Sequence, residues 1–263
     1  MIIDFFKYQG AGNDFVMLDN RTAIYNTLTT ENIEKLCDRR FGIGADGLIL
    51  LENAVGYDFK MVYYNSDGRE SSMCGNGGRC IVAFAKKLKI ITTEASFIAT
   101  DGPHKASISE DETILLQMSD VDNIKVRDNY SFLNTGSPHH IQVVDSIKEI
   151  DVKTLGSQIR YSDLYGAEGS NINFVQQDSD NTFSIRTYER GVEDETLACG
   201  TGATAVALAM HNSGKTQSTN LTIEVEGGTL TVSFERDGDE YHNIFLGGPA
   251  EFVFSGSLKI KNN

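Results

Sequence analysis

The chain has 263 residues, 40% apolar and 23% charged, which is ordinary for a globular protein with enough chain for one large core or two of usual size. A formal net charge of −14 argues against nucleic acid or an anionic membrane as partner. No apolar run approaches the ~18 residues of a membrane span, and the opening MIIDFFKYQGAGNDF lacks the basic start of a signal peptide, so a cytoplasmic protein whose four cysteines are thiols is expected.

Taken in order, residues 2–8 read as a strand, Gly10-Ala11-Gly12 as a turn and residues 15–19 as a second strand. Thr30 is predicted to cap a helix running to about residue 40, with Ile33, Leu36 and Cys37 on one face, so Cys37 is assigned to the core. A loop over 42–47, a strand over 48–52 and an alternating strand over 59–65 lead to the turn Asn65-Ser66-Asp67-Gly68. Next comes Cys74-Gly75-Asn76-Gly77-Gly78-Arg79, a cysteine at the mouth of a glycine run that opens into a helix. Ile81, Val82, Phe84, Ala85 and Leu88 make that helix apolar nearly all round, so it should be buried, and Cys80 within it is assigned to packing.

Short strands are predicted from 90 to 118, broken at 101–103 and 110–112. A strand and turn over 130–136, a strand over 141–145, a helix over 151–159 capped by Asp151, and strands over 171–177 and 182–189 follow. Cys199-Gly200-Thr201-Gly202-Ala203 then opens a second alanine-rich helix over 200–212, and strands between glycine turns fill 221–260.

The two cysteine motifs are separated by 125 positions, and they are not alone. Gly12 and Gly136 are 124 apart, Asp46 and Asn171, each opening a strand, 125 apart, and Asn65 precedes Glu189 and Arg190 by 124 and 125. A repeat this long excludes a short-repeat solenoid, and strands this many and short exclude a doubly wound parallel sheet. The expected architecture is α+β, duplicated: one domain over 1–118 with 250–263 returning to it, another over 119–249. Each is expected to be a curved mixed or antiparallel sheet round one buried helix, with the active site in a pseudo-twofold interdomain cleft.

A helix start offers N–H groups outside the helical ladder and a partial positive charge, which suits anions and thiolates. Those fields can lower a thiol from its usual ~8.5 toward neutrality, where acid–base catalysis is effective. Two such thiols sharing one ligand would discourage double ionisation, leaving one thiolate and one thiol. One base and one acid on opposite faces of a carbon is what a racemase or epimerase needs. The N–H groups of Gly75, Asn76, Gly200 and Thr201 are candidates to hold the α-carboxylate where charge develops. No cysteine pair has metal-ligand spacing and no dinucleotide fingerprint is complete, so neither metal nor cofactor is expected. A redox disulfide between Cys74 and Cys199 is the chemistry the residues alone leave open.

Gly12-Asn13-Asp14-Phe15, Asn65-Ser66-Asp67-Gly68, the Cys74–Cys80 run, Tyr188-Glu189-Arg190-Gly191 and Ala198-Cys199-Gly200-Thr201-Gly202 closely resemble the diaminopimelate epimerase family over nearly the whole chain. The resemblance implies a cofactor-independent isomerase of two similar domains, commonly a cytoplasmic homodimer, that interconverts LL- and meso-diaminopimelate in lysine synthesis. It implies Cys74 and Cys199 as the catalytic base and acid, with Gly75-Asn76 and Gly200-Thr201 as the carboxylate cradle. Asn13, Asn65, Asn171, Glu189 and Arg190 match substrate contacts. His139 matches a residue that tunes a cysteine, and the Glu189 carboxylate is itself suited to hold the reacting ammonium and to set nearby thiol ionisation. An arginine suits a distal carboxylate through its planar fork.

Two departures stand out. Ser137-Pro138-His139 replaces the usual Asn-Pro-His, and the stretch from Arg190 to Thr196 is one residue longer than the commonest form. Gly47 stands where some members carry a glutamine ligand. Another cofactor-independent amino-acid racemase on this scaffold is one competing reading, and a non-enzymatic redox sensor or binding protein using Cys74 and Cys199 is another.

Overall fold

A computed structural model describes residues 1–71 and 73–260, so the last three residues of the expected 250–263 segment lie outside the described part. The chain divides into two compact units, Met1–Leu116 with the C-terminal stretch from Pro249, and Gln117–Gly248. Among the described residues each is a mixed sheet carrying two α-helices, an α+β architecture.

The first unit runs β1 (Ile2–Gly10), β2 (Asn13–Asp19), α1 (Thr30–Cys37), β3 (Gly47–Glu52), β4 (Phe59–Asn65), β5 (Glu70–Ser71), α2 (Gly75–Lys87), β6 (Glu94–Ala99), β7 (Gly102–Ile108) and β8 (Ile114–Gln117). Antiparallel pairs join β1 to β2, β3 to β4, β6 to β7 and β7 to β8. Parallel pairs join β2 to β3 and β4 to β6.

Both faces of β2 and β3 are covered, which explains why these strands are apolar without alternation. Val16, Leu18, Leu48 and Leu50 pack with Ile33, Leu36 and Cys37 of α1. Phe15 and Ile49 turn to the other face, against α2, where a Cβ added at Gly77 would sit 3.0 Å from Ile49 and 3.3 Å from Met61. Every residue of α2 from Gly75 to Val82 is buried, as its all-round apolarity requires.

Helix α1 starts one residue earlier than expected. Thr29 is the N-cap, because Asn32 completes a capping box with it. The helix also stops at Cys37, short of residue 40, since the Asp38 carboxylate accepts from the N–H groups of Arg40 and Phe41, each at 2.7 Å, and turns the chain away.

The second unit repeats the scheme. It contains β9 (Lys125–Val126), β10 (Ser131–Asn134), β11 (Pro138–Val143), α3 (Val152–Arg160), β12 (Asn171–Gln177), β13 (Thr182–Glu189), β14 (Asp194–Thr196), α4 (Gly200–Asn212), β15 (Asn220–Val225), β16 (Gly228–Asp237) and β17 (Glu240–Gly248). Parallel joins recur at the matching places, β11 with β12 and β13 with β15. The C-terminal stretch of the first unit carries β18 (Glu251–Lys259), antiparallel to β1.

Strand register sharpens the repeat. Phe15 pairs with Gly47 in the first unit and His139 with Asn171 in the second, a constant offset of 124. The equivalent of Asn171 is therefore Gly47 and not Asp46. The offset becomes 125 by the cysteines, so the additional residue lies between Glu189 and Cys199. That segment turns at Gly191 (φ 95°) and Glu193 (φ 59°) before β14. Strand β11 also begins earlier than expected, at Pro138, a position where a missing N–H costs little.

Candidate active site

In the first unit Cys74 is the N-cap of α2, in extended conformation. Its thiol donates to Oδ1 of Asn13 at 3.7 Å. That amide is held on two sides: Asn13 Nδ2 donates to Oδ2 of Asp46 at 2.6 Å, and Asn76 Nδ2 donates to Asn13 Oδ1 at 3.3 Å. The sharp β1–β2 turn, with Ala11 at φ 50° and Gly12 at φ 83°, delivers Asn13 to this place.

Behind Asn76 lies Arg79, fully buried, whose guanidinium donates to Asn76 Oδ1 at 2.9 Å and to the carbonyls of Gly75 and Pro249. Burial lowers its pKa, opposed by the nearby Cys80 and Cys74. Asp46 is anchored by Arg39 at 2.7 Å, which also pairs with Asp14. Burial alone would raise Asp14, but hydrogen bonds and charge from Arg39 and Lys7 bring its carboxyl down to about 2.

The second unit places Cys199 as the N-cap of α4, again extended, and 7% exposed. Its Sγ lies 3.5 Å from Thr201 Oγ1, which lies 2.9 Å from Nε2 of His139. His139 is fully buried, and desolvation together with the Arg190 charge lowers it to about 3 against a smaller opposing bond from Asn173, so the ring is neutral. Asn173 Nδ2 reaches both His139 Nδ1, at 3.1 Å, and the His140 carbonyl, at 2.9 Å.

A further cluster surrounds Asn171. Its Nδ2 donates to Ser137 Oγ at 2.8 Å and to the Pro138 carbonyl, and its Oδ1 accepts from the Arg190 N–H at 2.9 Å. The serine at 137, though shorter than the usual amide, therefore still reaches Asn171. Glu189 accepts from Thr196 Oγ1 at 2.9 Å. Asn65 ends β4 exposed in the turn that its own backbone closes with Gly68 and Arg69. No side chain fits at Gly47, where a Cβ would stand 2.5 Å from the Tyr63 ring.

Cys37 and Cys80 are packing groups: burial pushes each thiol up to about 12. Among the described residues no group of three or more His, Cys, Asp or Glu is placed to hold a metal ion, and no helix is long and apolar enough to cross a membrane.

Three positioning residues were not singled out from the sequence as site members: Asp46, Arg79 and Asn173. Asn173 had a signal, since it lies two positions after Asn171 on the same strand and so faces the same side of an otherwise apolar run.

The sequence profile of the family described as diaminopimelate epimerase matches residues 5–124 and 131–253. The chain belongs to the diaminopimelate epimerase family. Like its family, it is an isomerase. A diaminopimelate epimerase of Flavobacterium psychrophilum is 64% identical over 253 residues, covering 96% of this chain and 99% of that relative. Another, from Chlorobaculum tepidum, is 44% identical over 95% of this chain and 99% of its own length.

Solved structures show the fold more widely than the family. A phenazine biosynthesis protein of the PhzF family from Bacillus anthracis superposes with a TM-score of 0.78 at 14% identity, covering 99% of this chain and 100% of its own. A hydroxyproline epimerase from Agrobacterium vitis does so at 0.68 and 12%, over 98% and 92%.

Proposed function

We propose that the chain epimerises diaminopimelate at one α-carbon, converting LL- and meso-isomers by proton transfer between Cys74 and Cys199. The observation that carries this is the repeat itself. In two units of one topology, a cysteine caps the same buried helix, each with N–H groups free of the helical ladder just beyond it.

One thiolate takes the α-hydrogen as a proton, and the electron pair left on carbon spreads into the α-carboxylate. The N–H groups of Gly75, Asn76, Gly200 and Thr201 meet that growing charge. The other cysteine gives its thiol proton to the opposite face, inverting the centre, and the two cysteines exchange protonation states. No outside oxidant or cofactor takes part in this sequence.

Arg190, held beside Asn171, offers its guanidinium to the distal carboxylate, with Asn13, Asn65 and Asn171 as further substrate contacts. Glu189 suits the reacting ammonium. His139 influences a cysteine through Thr201. The family resemblance makes a cytoplasmic homodimer serving lysine synthesis the expected setting, with light scattering as the check on assembly.

The test is direct. Purified protein given LL-diaminopimelate without pyridoxal phosphate should form the meso isomer, resolved by chiral chromatography. Cys74→Ala and Cys199→Ala should each abolish that conversion. Near-normal turnover by either variant would refute the scheme, and turnover of another amino acid alone would move the substrate assignment to the racemase reading.

A further inference from the structure

One hydrogen-bond chain ends on Cys199, and the direction of each of its bonds is set by the chemistry of its members. Asn173 donates through Nδ2 to the His140 carbonyl, a group that only accepts, while its Oδ1 accepts from Thr187 Oγ1 at 3.0 Å. The amide orientation is thereby set, and its other Nδ2 hydrogen points at His139 Nδ1. That nitrogen must present a lone pair, so the ring hydrogen sits on Nε2 and is donated to Thr201 Oγ1. Having accepted there, the Thr201 hydroxyl has its own hydrogen to give, and Cys199 Sγ is 3.5 Å away. Thr135 Oγ1, donating to the Thr201 carbonyl at 2.8 Å, pins the residue.

We propose that the Thr201 hydroxyl is a hydrogen-bond donor to Cys199 that favours its thiolate, making Cys199 the proton-abstracting cysteine of the resting enzyme. The catalytic meaning of this bond rests on the two-base reading above; the bond itself does not. Thr201 is here a positioning residue whose side chain acts through sulfur, separate from the backbone N–H assigned to the carboxylate.

Three considerations favour this polarity. First, Cys199 is buried, and burial drives thiols upward, as at Cys37 and Cys80, so a thiolate here needs a donor beyond the helix start. Second, His139 stays neutral far into acid, so its donor and acceptor nitrogens keep their roles across the working range. Third, Cys74 faces the opposite arrangement: its thiol donates to Asn13 Oδ1, an atom that only accepts and is fixed by Asp46. An acceptor beside sulfur favours the thiol.

Charged groups near these atoms include Arg190, close to His139, and Glu189 on the same strand, with its carboxylate accepting from Thr196. Charges near Cys74 include Arg79, which pulls that thiol toward ionisation, and the Asp46 carboxylate behind Asn13, which opposes it. At Cys74 the influences therefore oppose each other, whereas at Cys199 the helix start and the Thr201 hydroxyl add.

The test is iodoacetamide alkylation of the substrate-free, full-length protein as a function of pH, read at Cys74 and Cys199 by peptide mass spectrometry. Midpoints, unlike rates, do not scale with how easily the reagent reaches a thiol. Cys199 is expected to have the lower midpoint. Thr201→Val and Thr201→Ala should each raise the Cys199 midpoint by about one to two pH units, the scale of a hydrogen bond to a charged group. The Cys74 midpoint should stay in place, and Thr201→Ser should restore that of Cys199.

A Cys199 midpoint unmoved by loss of the hydroxyl, or a lower midpoint at Cys74, overturns the proposal. Epimerisation assayed on the same preparations separates the two readings. A protein that shows these midpoints yet fails to epimerise diaminopimelate counts against the function alone. One that epimerises with no shift on Thr201→Val counts against the hydroxyl alone.

Discussion

Asn13 turns its oxygen toward Cys74 because Asp46 takes its amide hydrogen, with Nδ2 to Oδ2 at 2.6 Å and Sγ to Oδ1 at 3.7 Å. Asp46 is a repeat position only approximately, yet it decides which end of an amide the thiol meets. Asp46→Asn gives Asn13 a partner that can also donate, so the amide is no longer held one way, and it loosens Arg39. We expect kcat/KM to fall about tenfold, the scale of one charge-assisted bond, with the thermal midpoint little changed. Steady-state kinetics beside thermal unfolding check this; unchanged kinetics would remove Asp46 from the site.

Gly202 is a second lever on the same chemistry. A Cβ there would lie 2.6 Å from Asn173 Oδ1 and 3.4 Å from Cys199 Sγ. Both neighbours belong to the network that sets Cys199, so Gly202→Ala must push one of them away. Overpacking of this kind costs roughly 1–3 kcal/mol. Activity should drop by at least about tenfold with the helix content retained, measured by epimerisation and far-ultraviolet circular dichroism.

The remaining cysteines should behave as core. With thiols pushed up to about 12, Cys37 and Cys80 should resist alkylation at neutral pH while Cys74 and Cys199 react. Cys80→Ala should keep kcat within about twofold and lose about 1 kcal/mol of stability through the cavity left. Urea unfolding and initial rates report the two separately.

Two buried histidines give stability a pH dependence whose sign can be worked out. His139 falls to about 3 and His140 to about 4 from 6.5, chiefly through burial. Between those values and 6.5 the unfolded chain binds protons that the folded one does not, so stability is fully present above about 6.5 and is lost as pH falls through that window. Each group contributes a slope of at most about 1.4 kcal/mol per pH unit. The urea midpoint should therefore fall from pH 7 to about pH 5, and His140→Gln should flatten the slope without touching the Thr201 contact.

The fold was legible where local pattern is decisive. Residues 59–65, 171–177, 182–189 and 200–212 are apolar or alternating runs bounded by turn residues, and the structure places their elements at those bounds. The start of β11 was not, because Pro138-His139-His140 reads as polar although both histidines are buried. Nor were the parallel joins, since the partner of a strand is not written in the strand. The same reason separates the legible from the hidden in the candidate site. A cysteine before glycines announces a helix start locally, and Asn173 is marked by its spacing from Asn171, whereas Asp46 and Arg79 take their places only through strand register and helix packing. The equivalence of Asn171 with Gly47 likewise came from the ladders, one position away from what spacing suggested.

Proton transfer by two separate groups leaves an isotopic record in both substrate and product. LL-diaminopimelate should be converted in D2O with reduced protein and both pools examined early in the reaction. Two exchangeable thiols predict meso product carrying solvent deuterium at the inverted carbon while the remaining substrate still holds protium. Product that retains the original hydrogen, or substrate that exchanges as fast as product forms, would contradict a base at one cysteine and an acid at the other.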